Sequence, residues 1–334
     1  MTQAMRAAVL YDVDDIRIEE RPVPQIGAGE ILVRTQASGI CTGDVMAWYV
    51  RRKAPLVLGH EPSGIVQAVG ADVESFRPGD RVFVHHHAPC FACRACERGD
   101  YVQCATWRAT KIDPGGLAEF FRVPRENLRD TLHVPQNVAL ADASLVEPLA
   151  CVLKSLRRSG ARKGDRLHVI GLGVMGLMHA LAAQDLGADV SGSDFLPERC
   201  AFAQSLGVRI VSPGERVGAD VVICGPGSPE ALRDALASVE AGGTVLMFTP
   251  LEPGVALTID PNDLYFRDLR LIASYSCGPD DTKAALETIG RGVVTAAKLG
   301  AVVYPLEEVA QAYAALRASK VIKPIVSFDP SLFP

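Results

Sequence analysis

The pattern of apolar and polar positions divides the chain into two parts of different character. As far as about residue 145, short apolar runs of strand length, such as Arg81-Val-Phe-Val84, alternate with turns rich in Gly and Pro. This pattern predicts a β-rich, barrel-like unit. After Glu147-Pro148, short apolar strands alternate with segments of helical periodicity. The predicted strands are 166–170, 189–193, 220–223 and 243–247, and the predicted helices are 174–186 (amphipathic), 197–206 and 229–239. Such βαβ alternation predicts a doubly wound parallel sheet.

The last part of the chain is predicted to complete the first unit. Two helical segments, 281–291 and 306–318, lead to a final strand near 325–328. The predicted domains are therefore a β-rich domain of 1–147 and 276–334 and an α/β domain of 148–275.

Composition and charge narrow the class of protein. The chain has 334 residues, of which 48% are hydrophobic and 22% charged, as in globular proteins. A net charge of −5 gives no basic footprint for nucleic acid or for an anionic membrane surface. No apolar run approaches membrane-spanning length, and the first residues lack a signal-peptide pattern. Nine cysteines, four of them clustered, favour a reducing compartment, so we expect a cytoplasmic protein.

Four of the cysteines lie within fifteen residues, separated by two, two and seven residues; they are Cys90, Cys93, Cys96 and Cys104. Thiolates spaced so closely can converge on one tetrahedral Zn²⁺. A closed shell of four sulfurs leaves no open position, so such a site stabilises a lobe, here about 88–106, and performs no chemistry. Disulfides are the alternative, but CxxC pairs outside small secreted proteins more often bind metal.

A glycine-rich loop follows the first predicted strand of the α/β domain and opens its first helix; its residues are Gly171, Leu172, Gly173, Val174, Met175 and Gly176. In this context the first glycine permits a tight turn, the second lets the backbone approach a pyrophosphate, and the third allows close packing of helix and strand. The helix N-terminus then offers free N–H groups to an anion. The loop therefore predicts dinucleotide binding.

Asp194 ends the second predicted strand, about 20 residues beyond the glycines. A carboxylate there accepts hydrogen bonds from a ribose and repels a 2′-phosphate, which favours NAD over NADP. Arg199 lies close enough in sequence to line the adenosine site, or to be a solvated helix residue.

A second, different group of metal donors is predicted around Cys41. A catalytic zinc needs about three protein ligands and an exchangeable position. Cys41 and His60 supply a thiolate and an imidazole, and Glu61 or Glu147 supplies an oxygen. Because neighbours on a regular strand point to opposite faces, His60 and Glu61 can both bind only if the backbone bends, or if one acts indirectly. Asp44 is expected to hold the free ring nitrogen of His60. Taken singly, each residue also fits an ordinary core or salt-bridge role.

With these features the chain resembles the zinc-dependent medium-chain dehydrogenases, and within them the sorbitol and threonine dehydrogenase branch. The resemblance covers nearly the whole chain and rests on Gly59-His60-Glu61 with Gly64 and Gly70, the four-cysteine lobe, Asp113-Pro114-Gly115-Gly116, Glu147-Pro148-Leu149 and the glycine loop.

The resemblance implies a GroES-like catalytic domain and a Rossmann domain with the active site in the cleft between them. It implies two zinc ions per subunit: a catalytic one on Cys41, His60 and Glu61, with Glu147 as a fourth or exchanging ligand, and a structural one on the four clustered cysteines. It also implies a homodimer or homotetramer acting on a small alcohol or ketone. Zinc would act as a Lewis acid on the substrate hydroxyl while hydride passes to NAD.

One departure from the family concerns the path of the proton. The family usually carries Ser or Thr two residues after the ligand cysteine and often His three residues further on, where this chain has Gly43 and Met46. Our hypothesis is that Thr42, or a water held by Glu147 or Asp44, replaces the missing groups.

Weaker signals surround these motifs. Trp48, Tyr49 and Trp107 are either walls of a substrate pocket or ordinary core. The basic run 51–53 is a solvated face or a site for an anionic substrate group. The histidines at 85–87 resemble a metal-binding tract, but they are expected to alternate faces on a strand, which favours packing or exposure.

Three functions therefore compete. The first is a zinc- and NAD-dependent secondary alcohol or polyol dehydrogenase. The second is a zinc-free reductase of activated double bonds, like the quinone reductase relatives of this fold, which leaves Cys41, His60 and the thiol lobe unexplained. The third is a non-catalytic dinucleotide-binding protein, since fold alone does not determine function.

Overall fold

The computed structural model describes residues 3–329, which form two compact units. Among these residues, the first unit contains the chain up to Ala150 and again from Cys277 onward, and the second unit is Cys151–Ser276.

The described residues contain sixteen strands. In chain order these are β1 (Ala4–Asp12), β2 (Asp15–Pro22), β3 (Ile31–Gly39), β4 (Leu56–Val57), β5 (Glu61–Val69), β6 (Arg81–Val84), β7 (Phe120–Val123), β8 (Thr131–His133), β9 (Arg166–Ile170), β10 (Asp189–Ser193), β11 (Arg209–Ile210), β12 (Ala219–Cys224), β13 (Val239–Met247), β14 (Arg270–Ala273), β15 (Val302–Pro305) and β16 (Pro324–Ser327).

Eleven α-helices and four 3₁₀ turns connect the strands in this part of the chain. The helices are α1 (Ala47–Val50), α2 (Arg94–Glu97), α3 (Ala105–Ala109), α4 (Leu140–Ala143), α5 (Val146–Ser159), α6 (Val174–Leu186), α7 (Pro197–Ser205), α8 (Pro229–Ser238), α9 (Pro261–Phe266), α10 (Pro279–Gly290) and α11 (Val309–Arg317). The 3₁₀ turns are Thr42–Val45, Tyr101–Gln103, Asn127–Asp130 and Leu306–Glu308. Within residues 3–329, no helix is long and apolar enough to cross a membrane.

The first unit is built from two sheets. A three-stranded sheet has the order β2-β1-β4, and a larger sheet has the order β15-β16-β3-β5-β6-β8, with β7 pairing β3. The strands from the end of the chain, β15 and β16, join the larger sheet because β16 pairs antiparallel with β3. The core of this unit buries apolar side chains from both segments, such as Ile40 and Val309.

The second unit is a six-stranded sheet of order β11-β10-β9-β12-β13-β14, with every pair parallel. Numbered from β9, this is the 3-2-1-4-5-6 order of a Rossmann fold, in which ligands bind at the carboxyl ends of the strands where the order reverses. The predicted doubly wound parallel sheet is confirmed.

Some predicted elements differ in detail. Helix α6 has the predicted bounds but is not amphipathic, since nine of its thirteen residues are buried, as expected for a helix covered on all sides. The sequence pattern over residues 44–50 also predicts a short helix, but this helix is interrupted at Met46, whose backbone is extended, leaving the 3₁₀ turn Thr42–Val45 and the short α1.

Candidate active site and coenzyme site

A bend in the chain brings His60 and Glu61 to the same place. Gly59 has φ +93°, and a Cβ built there would lie 2.4 Å from the backbone nitrogen of Leu117, so only glycine fits this turn. Strand β5 begins at Glu61, after the bend. Donor atoms of Cys41, His60 and Glu61 consequently lie within 4.8 Å of one another. Of the two geometries that the sequence allows, the bend is the one present.

Cys41 caps the 3₁₀ turn Thr42–Val45, and its Sγ accepts the backbone N–H of Gly43 at 3.3 Å. Burial raises the pKa of the Cys41 thiol, although the neighbouring His60 acts against the rise. A divalent cation would offset this cost of burial, because metal binding releases the thiol proton.

A carboxylate lies beside the ring of His60. Its Nδ1 lies 3.5 Å from Oδ2 of Asp44, which the hydroxyl of Tyr313 approaches at the same distance. Burial alone would lower the pKa of His60, but the charges of Asp44 and Cys41 outweigh it and raise the pKa well above the usual imidazole value. The His60 side chain is 26% exposed, so the cluster is open on this side.

Glu61 is held by a lysine that the sequence analysis missed. Nζ of Lys323 forms an ion pair with Oε2 of Glu61 and donates to the carbonyl of Ile40 at 3.0 Å. Both side chains are 1% exposed. Burial raises the pKa of the Glu61 carboxyl, against the effect of Lys323 and His60. Oε1 of Glu61 is buried with no hydrogen-bond partner among the described residues, which suits a cation ligand. The sequence feature that could have pointed to Lys323 is that it is a single lysine inside the otherwise apolar run 321–326.

Glu147 lies near this cluster at the start of helix α5 and is buried. Its charge raises the pKa of both His60 and Glu61. A Glu147 carboxylate oxygen is also within 4.8 Å of ring nitrogens of His85 and His86. The roles of Glu147 and of Thr42, which opens the 3₁₀ turn, remain predictions.

The histidines at 85–87 do not alternate on a strand, because β6 ends at Val84. The ring centroid of His86 lies 5.1 Å from that of His85, 4.2 Å from that of His87 and 5.0 Å from that of His60. Packing or exposure was the favoured interpretation, whereas the fold places one imidazole of the tract beside a predicted metal ligand.

The four clustered cysteines also converge. Their Sγ atoms all lie within 4.8 Å of one another, with 3.6 Å between Cys93 and Cys96 and 3.9 Å between Cys90 and Cys96. Tetrahedral Zn–S bonds of about 2.3 Å place sulfurs about 3.8 Å apart, so the donor set fits this ion. All are free thiols, and the disulfide alternative is not present. Burial opposes ionisation of Cys104, but backbone N–H groups lower its pKa to about 6.

Trp107 and the basic run 51–53 are already engaged. Trp107 is 2% exposed and packs with Cys96 and Cys104, so it belongs to the core of the thiol lobe. Arg51 pairs with Asp12 at 2.9 Å, and Nζ of Lys53 lies 3.6 Å from the ring centroid of Tyr49. These contacts favour the solvated-face interpretation of the basic run; the side chain of Arg51 is 59% exposed.

In the second unit, the glycine loop lies between β9 and α6, where the strand order reverses. Gly171 has φ +87°, and a Cβ at Gly176 would lie 1.9 Å from the carbonyl oxygen of Gly171. Gly173 caps α6 without a side-chain hydrogen bond, and the helix continues through Val174 and Met175. Free N–H groups at this end fit a dinucleotide pyrophosphate.

Asp194 ties the loop to the next strand. Its Oδ2 accepts the N–H of Leu172 at 2.8 Å and its Oδ1 accepts the N–H of Leu196 at 2.9 Å. Arg199 places Nη1 3.6 Å from Oδ2 of Asp194 and 3.6 Å from where a Cβ of Gly173 would lie. The two side chains therefore meet over the glycine loop.

Comparison with known proteins agrees with this architecture. Residues 27–135 match the family model of the alcohol dehydrogenase GroES-like domain, and residues 174–291 match that of zinc-binding dehydrogenases. D-altritol 5-dehydrogenase of Agrobacterium fabrum is 33% identical over 82% of this chain and 85% of its own length. Sorbitol dehydrogenase of Bacillus subtilis is 32% identical over 72% of this chain and 74% of its own length.

Solved structures of related enzymes superpose over almost the whole chain. 2R,3R-butanediol dehydrogenase of Bacillus subtilis, 26% identical, gives a TM-score of 0.86 and covers 97% of this chain and 100% of its own. A zinc-binding dehydrogenase of Sinorhizobium meliloti bound to NADP, also 26% identical, gives a TM-score of 0.87 and covers 97% and 99%.

The chain therefore belongs to the zinc-containing alcohol dehydrogenases of the medium-chain dehydrogenase family. The predicted family, the combination of a GroES-like and a Rossmann domain, and an oxidoreductase of the alcohol dehydrogenase class are confirmed.

Proposed function

We propose that this enzyme transfers hydride between a secondary alcohol, of the polyol class, and NAD(H), with one catalytic and one structural zinc ion per chain. The observation that carries the proposal is the convergence of Cys41, His60 and Glu61 on one point of the first unit. The names of the relatives, D-altritol 5-dehydrogenase and sorbitol dehydrogenase, support a polyol substrate. A homo-oligomeric, cytoplasmic enzyme remains our expectation.

Cys41, His60 and Glu61 would hold the catalytic zinc ion, and the four clustered cysteines the structural one. When bound, the catalytic ion supplies a Lewis acid that lowers the pKa of the substrate hydroxyl, and the nicotinamide supplies the hydride acceptor.

The chain's own residues prepare the donors. The N–H of Gly43 donates to Sγ of Cys41 and so favours the thiolate. Asp44, 3.5 Å from Nδ1, would orient the ring of His60 so that Nε2 could bind the ion. Lys323 occupies Oε2 of Glu61 and leaves Oε1 available. Glu147 adds negative charge near the cluster, which favours the binding of a cation there.

The coenzyme preference rests on Asp194. Its carboxylate is 8% exposed and accepts two backbone N–H groups, and a carboxylate at this position would repel a 2′-phosphate. Arg199, 3.6 Å away, opposes that repulsion and makes some use of NADP possible. We infer a preference for NAD of about tenfold in kcat/KM, since Arg199 offsets part of the repulsion.

The test is NADH production, followed by its absorbance, over a panel of polyols, amino alcohols, aliphatic alcohols and sugar phosphates, with zinc content measured on the same preparation. We expect turnover of polyols, two zinc ions per chain, and a higher kcat/KM with NAD than with NADP. An Asp194→Ser variant should lose the preference, with Asp189→Ser, an exposed residue at the start of β10, as the control. Zinc only in the thiol lobe, or no turnover of any alcohol, would contradict the proposal.

A further inference from the structure

The imidazole of His86 lies beside the predicted zinc ligands without a recognised role. Its ring centroid is 5.0 Å from that of His60, and the side chain is half-buried. Nδ1 is buried and has no hydrogen-bond partner within residues 3–329. Buried polar atoms in folded proteins are nearly always paired, so an unpaired one near a reactive site is available to a bound group.

The residues on either side of His86 hold its backbone in place. Nδ1 of the fully buried His85 donates to Oδ2 of Asp130 at 2.6 Å, and Oδ1 of Asp130 accepts the hydroxyl of Thr282, also at 2.6 Å. On the other side, His87 bonds the carbonyl of Thr110, and its ring lies 4.3 Å from that of Trp107. The backbone at His86 is therefore held in position by contacts of both neighbouring residues, which suits a residue that binds a ligand.

An acceptor for a hydroxyl lies within reach of the His86 ring. A Glu147 carboxylate oxygen and a His86 ring nitrogen are no more than 4.8 Å apart. One hydroxyl can bond to two groups up to about 5.6 Å apart, that is, two hydrogen bonds of about 2.8 Å. A hydroxyl both donates and accepts, so it can donate to the carboxylate and accept from an imidazole N–H.

We propose that His86 binds a second hydroxyl of the substrate, adjacent to the carbinol that is oxidised, and so selects vicinal diols over monohydric alcohols. The inference rests on the proposed function and adds a specificity-determining residue to it. It gives a role to the polar side chain of His86 beside the reactive cluster. The hydroxyl that the family usually carries at the position of Gly43 is absent from this chain.

The experiment compares 2,3-butanediol with 2-butanol, which share a carbon skeleton and differ by one hydroxyl. His86→Phe keeps a ring and removes both nitrogens, whereas His86→Asn retains a hydrogen-bonding group. His133→Phe, a half-exposed histidine on β8, is the matched control. Each variant is assayed for kcat and KM, for zinc content, and for diol binding to the enzyme–NADH complex through nicotinamide fluorescence.

We expect His86→Phe to lower kcat/KM for the diol about 10- to 100-fold, mainly through KM, and to weaken its binding equally, while 2-butanol changes less than about threefold. His86→Asn should restore part of the preference, and His133→Phe should leave it unchanged. An equal loss for both alcohols, or unchanged diol binding, would overturn the assignment.

Two other outcomes separate this inference from the proposed function. Loss of one zinc ion in His86→Phe would make His86 a metal ligand and refute its role in diol binding. If the wild-type enzyme oxidises neither these alcohols nor any in the panel, the proposed function fails and the inference with it. A wild-type enzyme that oxidises both alcohols at similar kcat/KM refutes the inference alone.

Discussion

The two groups of metal donors in the first unit are assembled in opposite ways. The four thiols of the lobe come from one segment of fifteen residues, Cys90 to Cys104, and their spacing alone determines that they meet. The reactive cluster collects Cys41 and the adjacent pair His60 and Glu61 from two segments, and Lys323 from the far end of the chain completes it. The geometry of the local site depends only on its own loop, whereas the geometry of the dispersed site depends on the correct folding of the whole unit.

The surroundings of the two groups differ as well. In the lobe, sulfurs face sulfurs and backbone N–H groups, and Cys96 and Cys104 are 7% and 1% exposed. In the reactive cluster, each donor has a polar neighbour that orients it, and one side stays open at His60. The first arrangement suits a closed structural ion and the second an ion that must exchange a ligand.

The largest expected effect of a single change is on the reactive cluster. His60→Ala should lower kcat/KM about 10³-fold or more, because a bound metal contributes several kcal/mol to the reaction. Zinc content should fall from two ions per chain to one, while the thermal midpoint changes little. Mass spectrometry of the native protein and steady-state kinetics measure both.

His133→Ala, a half-exposed histidine of the same unit, is the control for His60→Ala. Retention of two zinc ions in His60→Ala would show that this imidazole is not a ligand, and the distinction between the two groups would then rest on Cys41 and Glu61 alone.

The next effect concerns the buried ion pair that supports the dispersed cluster. Lys323→Met leaves the carboxylate of Glu61 buried without its cation, which should cost about 3–5 kcal/mol of unfolding free energy. Urea denaturation of the metal-free protein measures it. The double variant Lys323→Met/Glu61→Gln should recover at least half of the loss, and strictly additive effects would contradict the coupling.

The sequence predicted what is local and also grouped Cys41, His60 and Glu61, but it missed partners that the fold brings to the site from distant segments. The glycine loop, β9 and the bounds of α6 follow from short-range pattern, as does the convergence of the cysteine lobe. Lys323 and Asp130 could not be assigned to a site from spacing, because each lies far from its partner along the chain, 262 residues from Glu61 and 45 from His85.

Two misjudged elements have the same cause. Helix α6 was expected to be amphipathic because only its apolar face is visible in sequence, while burial on the other side depends on what packs there. The histidines at 85–87 were expected to alternate faces, but the strand ends one residue earlier, at Val84. A shift of one residue at an element boundary changes which side chain faces the site.

A smaller effect is expected in the thiol lobe. Cys104→Ala should remove the structural zinc and lower the unfolding free energy by about 2–3 kcal/mol, while activity per folded molecule stays within about threefold. Cys224→Ala, at a buried cysteine outside every candidate metal group, is the control and should retain both ions. An activity loss as large as that of His60→Ala would mean that the two groups are not functionally separate.

The smallest effect tests the missing hydroxyl of the reactive cluster. A Cβ at Gly43 would contact only Sγ of Cys41, at 3.4 Å, among the described residues, so Gly43→Ser should fold with a stability within about 1 kcal/mol of wild type. If proton transfer now depends on Thr42 or on a water near Glu147, a hydroxyl at this position should offer a second route and raise kcat about two- to tenfold at low pH, where deprotonation limits the rate. Gly43→Ala adds the same Cβ without the hydroxyl, and the pH–rate profiles of both variants measure the difference. Identical profiles would show that the proton leaves by a path that does not pass this residue, and that the family's usual route has been replaced rather than lost.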